Sequence, residues 1–246
     1  MEQNRRRTAL FIGIALAAAA GIAALVIFVV IPAVNTGRAG ALQKKGDLSG
    51  AYDAYDQMGE AGDAQARKRE LQNEAIASRS ALSMDFGGYE WLILEERGGK
   101  ALLLMRDALE TRPYHAAMDD ITWEGCALRQ WLNDSFYNSL PEADRARVAE
   151  TAVINSGNTK YGTQAGKDTR DRVFLLSLAE AGLYFPDDAS RVARSGGSAK
   201  FWWLRSPGME PALAAVVTAD GVVGFAGSAV QTDTRGVRPA MWVLTE

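Results

Sequence analysis

The alternation of apolar and polar positions changes character twice along the chain, and each change marks a different kind of element. From Ala9 to Val34, "ALFIGIALAAAAGIAALVIFVVIPAV", no side chain is charged. A spanning helix needs only about 20 such residues, so this run predicts a transmembrane helix. A cleaved secretory signal is the competing reading, but its apolar core of about 7–15 residues is shorter than this run. Residues 35 to 81 are rich in Ala, Glu, Lys, Arg and Gln, with breaks at Gly46 and between Gly59 and Gly62, which predicts short antiparallel helices. Ala51, Tyr52, Tyr55 and Met58 fall on one helical stripe, and Asp63 is placed to cap a further helix through Leu71 to about Leu82.

From residue 82 onward short apolar runs alternate with Gly-rich turns and capped helices, the pattern of an α+β domain. "YEWLILEE" and "KALLLMRD" read as a hairpin turning at Gly98 and Gly99. Leu128, Leu132 and Phe136 recur at helical spacing, and "SLPE" predicts a helix capped by Ser139. Val173 to Leu176 read as a buried strand, followed by a capping box of Ser177 with Glu180. Asp220-Gly221 between two β-prone runs is a hairpin signal, and "GVRPAMWVL" reads as a closing strand interrupted near Arg238 by Pro239, which has no N–H to donate. In "FWWLRSPG" both faces of the strand Phe201 to Arg205 carry large groups. That predicts a central strand covered on both sides, with Arg205 paired to a buried carboxylate or carbonyl before Ser206-Pro207-Gly208 turns the chain.

Charge narrows the range of functions. A net charge of -3 leaves no broad basic surface, so nucleic acid is not an expected partner. Arg5, Arg6 and Arg7 precede the apolar run and orient residues 1–8 to the cytoplasm, with the domain outside the cell membrane; Arg38, Lys44 and Lys45 on the far side dilute that asymmetry. Cys126 is the only cysteine and His115 the only histidine. No internal disulfide or multi-cysteine metal site follows from them, Cys126 reads as a buried thiol and His115 as a loop residue. There is no G-x-S-x-G elbow, and the acidic pairs Asp119-Asp120 and Asp187-Asp188 read as solvated turns, so neither a catalytic residue, a metal site nor a cofactor is expected.

Two resemblances add to this reading. "GDLSGAYDAYDQMGEAGDAQARKRE" resembles a single tetratricopeptide-like unit, which implies a helical stalk over residues 35–81. "TWEGCALRQWLN", "DRVFLLSLAEAGLYF", "WWLRSPG" and "GVRPAMWV", in this order, resemble the bacterial domain of unknown function 6273 over about residues 85 to 246. The resemblance marks Trp123, Leu128, Arg129, Trp131, Leu132 and Asn133 in the first stretch and Phe174 in the second as core positions. Trp202, Trp203, Arg205 and Pro207 follow in the third, and Gly236, Arg238 and Pro239 in the fourth. The zinc ribbon that commonly precedes the span in that family has no counterpart in residues 1–8. The Trp-rich strand and "GVRPA" also resemble the core of C-type-lectin-like folds, including the formylglycine-generating group, and so imply a C-type-lectin-like domain behind the span and stalk. The sulfur and metal chemistry of that group needs a cysteine pair or several histidines, which Cys126 and His115 cannot supply, and "WLND" only partly echoes a lectin calcium motif.

The resulting expectation is a membrane-anchored, extracytoplasmic, non-enzymatic binding module. Its span is Ala9 to Val34, its domain is residues 82–246, and its partner is a glycan, a peptide or another envelope protein. A structural or sensory tether and an uncharacterised enzyme are the alternatives. The polar, Gly-bearing loops Ser156 to Asp171 and Asp187 to Lys200 are the candidate ligand surface, with Asn158, Lys160, Tyr161, Arg191 and Arg194 as contact residues; idle loops are the plain alternative.

Overall fold

The structure, a computed structural model, describes residues 31–245. The described residues divide between residues 68 and 69 into two compact units. In the first, helix α1 (Ile31–Lys44) and helix α2 (Leu48–Asp56) pack together across a tight turn at Gly46. Asp47 caps α2 by accepting from Gly50 N at 2.9 Å, and Leu48, Ala51, Tyr52, Ala54 and Tyr55 are its buried residues, so Ala51, Tyr52 and Tyr55 of the predicted stripe lie on the packed face while Met58 falls beyond the helix and is half-buried. Helix α3 (Ala64–Ala77) crosses the division between the units and ends short of Leu82. Asp63 meets it as the partner of Arg67 at 3.0 Å, one turn along.

The expected order of spanning helix, stalk and C-type-lectin-like domain is corrected here. Among the described residues no helix is long and apolar enough to cross a membrane. Residues 9–30 of the apolar run lie outside the described residues. Residues 31–34 open α1, which continues through Asn35, Thr36 and Arg38, so polar side chains enter the helix directly after Val34. The second unit is α+β with several sheets and only short helices, and the expected C-type-lectin-like scaffold is not shown by it.

A four-stranded antiparallel sheet runs in the order β1 (Ser83–Phe86), β2 (Tyr89–Arg97), β3 (Lys100–Met105) and β13 (Ala240–Leu244). The predicted β2–β3 hairpin is present, and β1 precedes it across Gly87 and Gly88, a strand the apolar pattern did not signal because only Phe86 of its residues is buried. A five-stranded sheet runs in the order β11 (Val223–Ala229), β10 (Leu213–Val217), β9 (Trp202–Pro207), β12 (Gly236–Val237) and β4 (Glu110–Thr111). Strand β9 is central with all six residues buried, so the turn expected at Ser206-Pro207 begins only at Gly208. The closing strand is split by Pro239 into β12 and β13, which belong to different sheets; a residue with no N–H and fixed φ marks the corner between them. Smaller pairs join β5 (Thr151–Val153) to β6 (Thr169–Asp171) and β7 (Ala193–Ser195) to β8 (Ser198–Lys200).

Helix α4 (Ala127–Trp131) continues through a π turn at Leu132–Phe136 and a last turn, α5 (Tyr137–Ser139), with Leu128, Leu132 and Phe136 buried as spaced. Ser139 does not cap the next helix. Its Oγ donates to Phe136 O at 2.7 Å, Leu140 is extended, and α6 (Glu142–Arg145) starts behind Pro141. Val173 to Leu176 are buried but pair only through Phe174 and Ala240 in a single bridge, because the chain must turn at once into the Ser177-capped helix α7 (Leu178–Leu183). Helix α8 (Asp188–Arg191) packs over the β10–β11 turn, where Gly221 has φ +88°.

That packing fixes Gly221. A Cβ there would lie 1.8 Å from Asp188 O, on top of the positive φ. At Gly98, φ +54°, a Cβ would meet nothing within 4 Å. Gly98→Ala is therefore expected to cost about 1 kcal/mol, the ordinary left-handed penalty, and Gly221→Ala at least about twice that, both read from urea unfolding midpoints. Equal losses would contradict the close approach of α8.

Candidate functional site

Most of the charged groups in the motif stretches are turned inward. Arg205 leaves β9 beneath α7, where both Nη atoms meet the Glu180 carboxylate, Nη2 at 3.0 Å from Oε1. Nη1 also donates to Leu175 O at 2.8 Å and Nη2 to Ile154 O at 3.0 Å. Glu180 is aimed by its own capping box: Ser177 N donates to its Oε2 at 2.8 Å, and its N–H donates to Ser177 Oγ at 3.1 Å. The two tryptophans beside Arg205 also hold backbone, Trp202 Nε1 on Arg191 O at 3.1 Å and Trp203 Nε1 on Arg112 O at 2.8 Å.

A second node forms at Asp171, whose buried carboxylate accepts from Trp123 Nε1 at 2.9 Å, Arg129 Nε at 2.7 Å and Thr169 Oγ1 at 2.7 Å. Asn133 follows it, donating to Val173 O at 2.8 Å and accepting from Arg172 N at 2.8 Å. Trp131 is half-buried, with the Arg112 guanidinium 4.2 Å above its ring. Arg238 sits at the corner between the sheets, and its acceptors among the described residues are carbonyls, Met105 O at 2.9 Å, Arg106 O at 2.8 Å and Arg191 O at 3.3 Å, with the Trp202 ring 4.9 Å away. Burial pulls its guanidinium down to about 9, which leaves it charged at neutral pH. Gly236 packs so closely that a Cβ would lie 2.7 Å from Ala108 Cβ, and Pro239 O accepts from Met105 N at 2.9 Å.

A cleft of about 280 Å³, counted with its open mouth, lies where Thr122-Trp123, Asn155-Ser156 and Ala165-Gly166 meet β9. Its enclosed part has room for about one water. Arg205 Nε and Asn155 Oδ1, from two residues lining it, have no hydrogen-bond partner among the described residues. A donor and an acceptor beside a water-sized space suit a bridging water better than an organic ligand.

The two candidate loops differ in what they expose. In Ser156 to Asp171, Asn158 is buried and its carboxamide donates to Pro207 O at 3.0 Å, Gly208 O at 3.2 Å and Phe225 O at 2.7 Å. Its backbone closes a tight loop with Thr163 and Gly162, so Asn158 is an anchor. Lys160 and Tyr161 project from that loop, the ammonium 5.9 Å from the Tyr161 ring centroid and 5.3 Å from that of Phe225 on β11. In Asp187 to Lys200, Arg191 is buried on Gly221 O at 2.8 Å and Phe185 O at 3.0 Å, whereas Arg194 is exposed and donates to Gly197 O at 3.1 Å. Sequence spacing did not signal Asp171, Glu180 as the Arg205 partner, or Phe225, because each acts across more than 20 residues of chain.

The two residues with nucleophile or base chemistry are held by the backbone. His115 Nδ1 accepts from Ala127 N at 3.2 Å, and Cys126 Sγ accepts from Arg129 N at 3.4 Å. Burial pushes the Cys126 thiol up to about 12 from its ordinary 9.0. Between those values the unfolded chain loses the proton first, so this contribution to stability is complete below pH 9 and declines as pH rises toward 12. From pH 8 to 10 the wild type is expected to lose about 1 kcal/mol more unfolding free energy than Cys126→Ala, and the folded thiol to resist a disulfide reagent that labels it in urea. Equal losses, with rapid labelling of the folded chain, would contradict the buried placement.

Comparison with curated proteins gives no match, and comparison with solved structures gives none. The family model described as a domain of unknown function, number 6273, matches residues 98–245, a span that begins in the β2–β3 turn and holds all four motif stretches together with both polar nodes and the anchored loop. With well over half of its length matched, the chain belongs to the family of the domain of unknown function 6273.

Proposed function

We propose that the domain is a non-enzymatic binding module, with the Asn158–Thr163 loop and the adjoining face of β11 as its binding surface. The observation that carries this reading is the division of labour within that loop. Asn158 is buried and fastened to three carbonyls of two other chain segments, while the next residues out, Lys160 and Tyr161, are exposed. A loop fixed at its base loses little conformational freedom when a ligand arrives, which favours recognition by the residues at its tip. The buried ionic groups support the same reading, since Arg205, Arg191 and Arg238 are all engaged with internal acceptors. The ligand classes that fit are those expected from the sequence, a glycan, a peptide or an envelope protein.

The purified full chain, tested on one panel of immobilised glycans and one of immobilised peptides, is expected to be retained on at least one. The Lys160→Ala, Tyr161→Ala double variant is expected to weaken that retention at least about tenfold with an unchanged thermal midpoint, about 1.4 kcal/mol of binding. Lys100→Ala, in the β2–β3 hairpin, is expected to leave it unchanged. Failure on both panels, or retention indifferent to the double variant, would overturn the reading.

A further inference from the structure

Resting on the binding reading above, we infer that the Lys160–Tyr161–Phe225 cluster takes an anionic sugar residue, a pyranose ring carrying a carboxylate or sulfate group. The cluster combines the two features such a residue requires. The first is a pair of aromatic faces: Tyr161 is 43% exposed, and Phe225 is half-buried on β11 at the edge of the five-stranded sheet. The face of an aromatic ring is the negative end of its quadrupole, and it stacks with the weakly positive C–H face of a pyranose. The second is a cation close to both rings. Lys160 Nζ lies within 6 Å of both centroids and has no carboxylate within ion-pair distance among the described residues. By contrast, Lys167 on the same loop is paired with Glu124 at 3.5 Å.

Preorganisation strengthens the case. Gly162 N and Tyr161 N both donate to Asn158 O, at 2.8 and 3.2 Å, and Gly162 takes φ +73°, a turn that only glycine enters without strain. A Cβ on Gly157 would lie 2.5 Å from Thr163 O, so the two sides of the loop are in contact. The ring and the ammonium are therefore presented from a closed turn rather than from an open loop. An ammonium is a point charge without the fork geometry of arginine, so it recognises negative charge without choosing between carboxylate and sulfate. One charge beside two rings matches one charged sugar better than an acidic peptide, whose charges come in series.

Isothermal titration of the full chain with trigalacturonate, a sulfated galactotriose, neutral galactotriose and hexaglutamate separates these terms. At least one anionic trisaccharide is expected to bind at least about tenfold tighter than the neutral trimer and than hexaglutamate, and to weaken as salt rises from 50 to 500 mM. Lys160→Gln is expected to remove the preference for the anionic sugar, Tyr161→Ala to weaken charged and neutral trimers alike, and Lys100→Gln to change nothing. Equal affinity for the neutral trimer, or tighter binding of hexaglutamate, would overturn the inference. So would failure of both anionic trimers, and retention on the peptide or neutral-glycan panel would then show that the binding reading survives without it.

Discussion

The ion pair between Arg205 and Glu180 is the constraint on which the second unit depends. Both residues are buried, and removing a guanidinium and a carboxylate from water costs several kcal/mol per ion unless each is neutralised and hydrogen-bonded. The fold meets that requirement from four directions. The carboxylate comes from α7, one carbonyl from Leu175, another from Ile154, and the arginine itself from the central strand β9. The Ser177 capping box orients Glu180, so the start of a helix, a sheet strand and two connecting segments are fixed by one pair of side chains. Displacing any one of them would strand a charge.

Arg191 and Arg238 extend the same logic without a buried carboxylate of their own kind. Arg238 ties the end of β3 to the corner where Pro239 moves the chain from one sheet to the other, and Arg191 ties α8 to the β10–β11 turn. Main-chain carbonyls stabilise both cations, joined by the Trp202 face at Arg238 and by the exposed Asp188 carboxylate at Arg191. Asp171 does the corresponding work for the helical side by holding Trp123 and Arg129. The same framework holds the Asn158 loop in place, since the Asn158 anchor is set directly against Pro207 at the end of β9.

What the sequence made legible was local. The Ser177–Glu180 capping box, the Gly98-Gly99 and Asp220-Gly221 hairpins, the central position of the Trp202-Trp203 strand and the break at Pro239 all follow from neighbours a few residues apart. The sequence implies a buried partner for Arg205, but the identity of that partner depends on α7 lying over β9. The misplaced Ser139 cap shows the limit of a motif: Leu140 is needed in the core and Pro141 takes the N-cap position, so the helix starts later, at Glu142. Strand β1 escaped notice because an edge strand with one buried residue carries no period. The candidate loops were visible as polar Gly-bearing stretches, whereas the inward turn of Asn158 and Arg191 depends on carbonyls elsewhere in the fold.

A double-mutant cycle on Arg205→Met and Glu180→Met, followed by urea unfolding, tests the keystone role of the pair most directly. Each single variant is expected to lose about 3–5 kcal/mol by leaving its partner buried and uncompensated, and the double variant to recover at least about 2 kcal/mol of the summed loss. Single losses below about 1 kcal/mol that add without coupling would contradict the account.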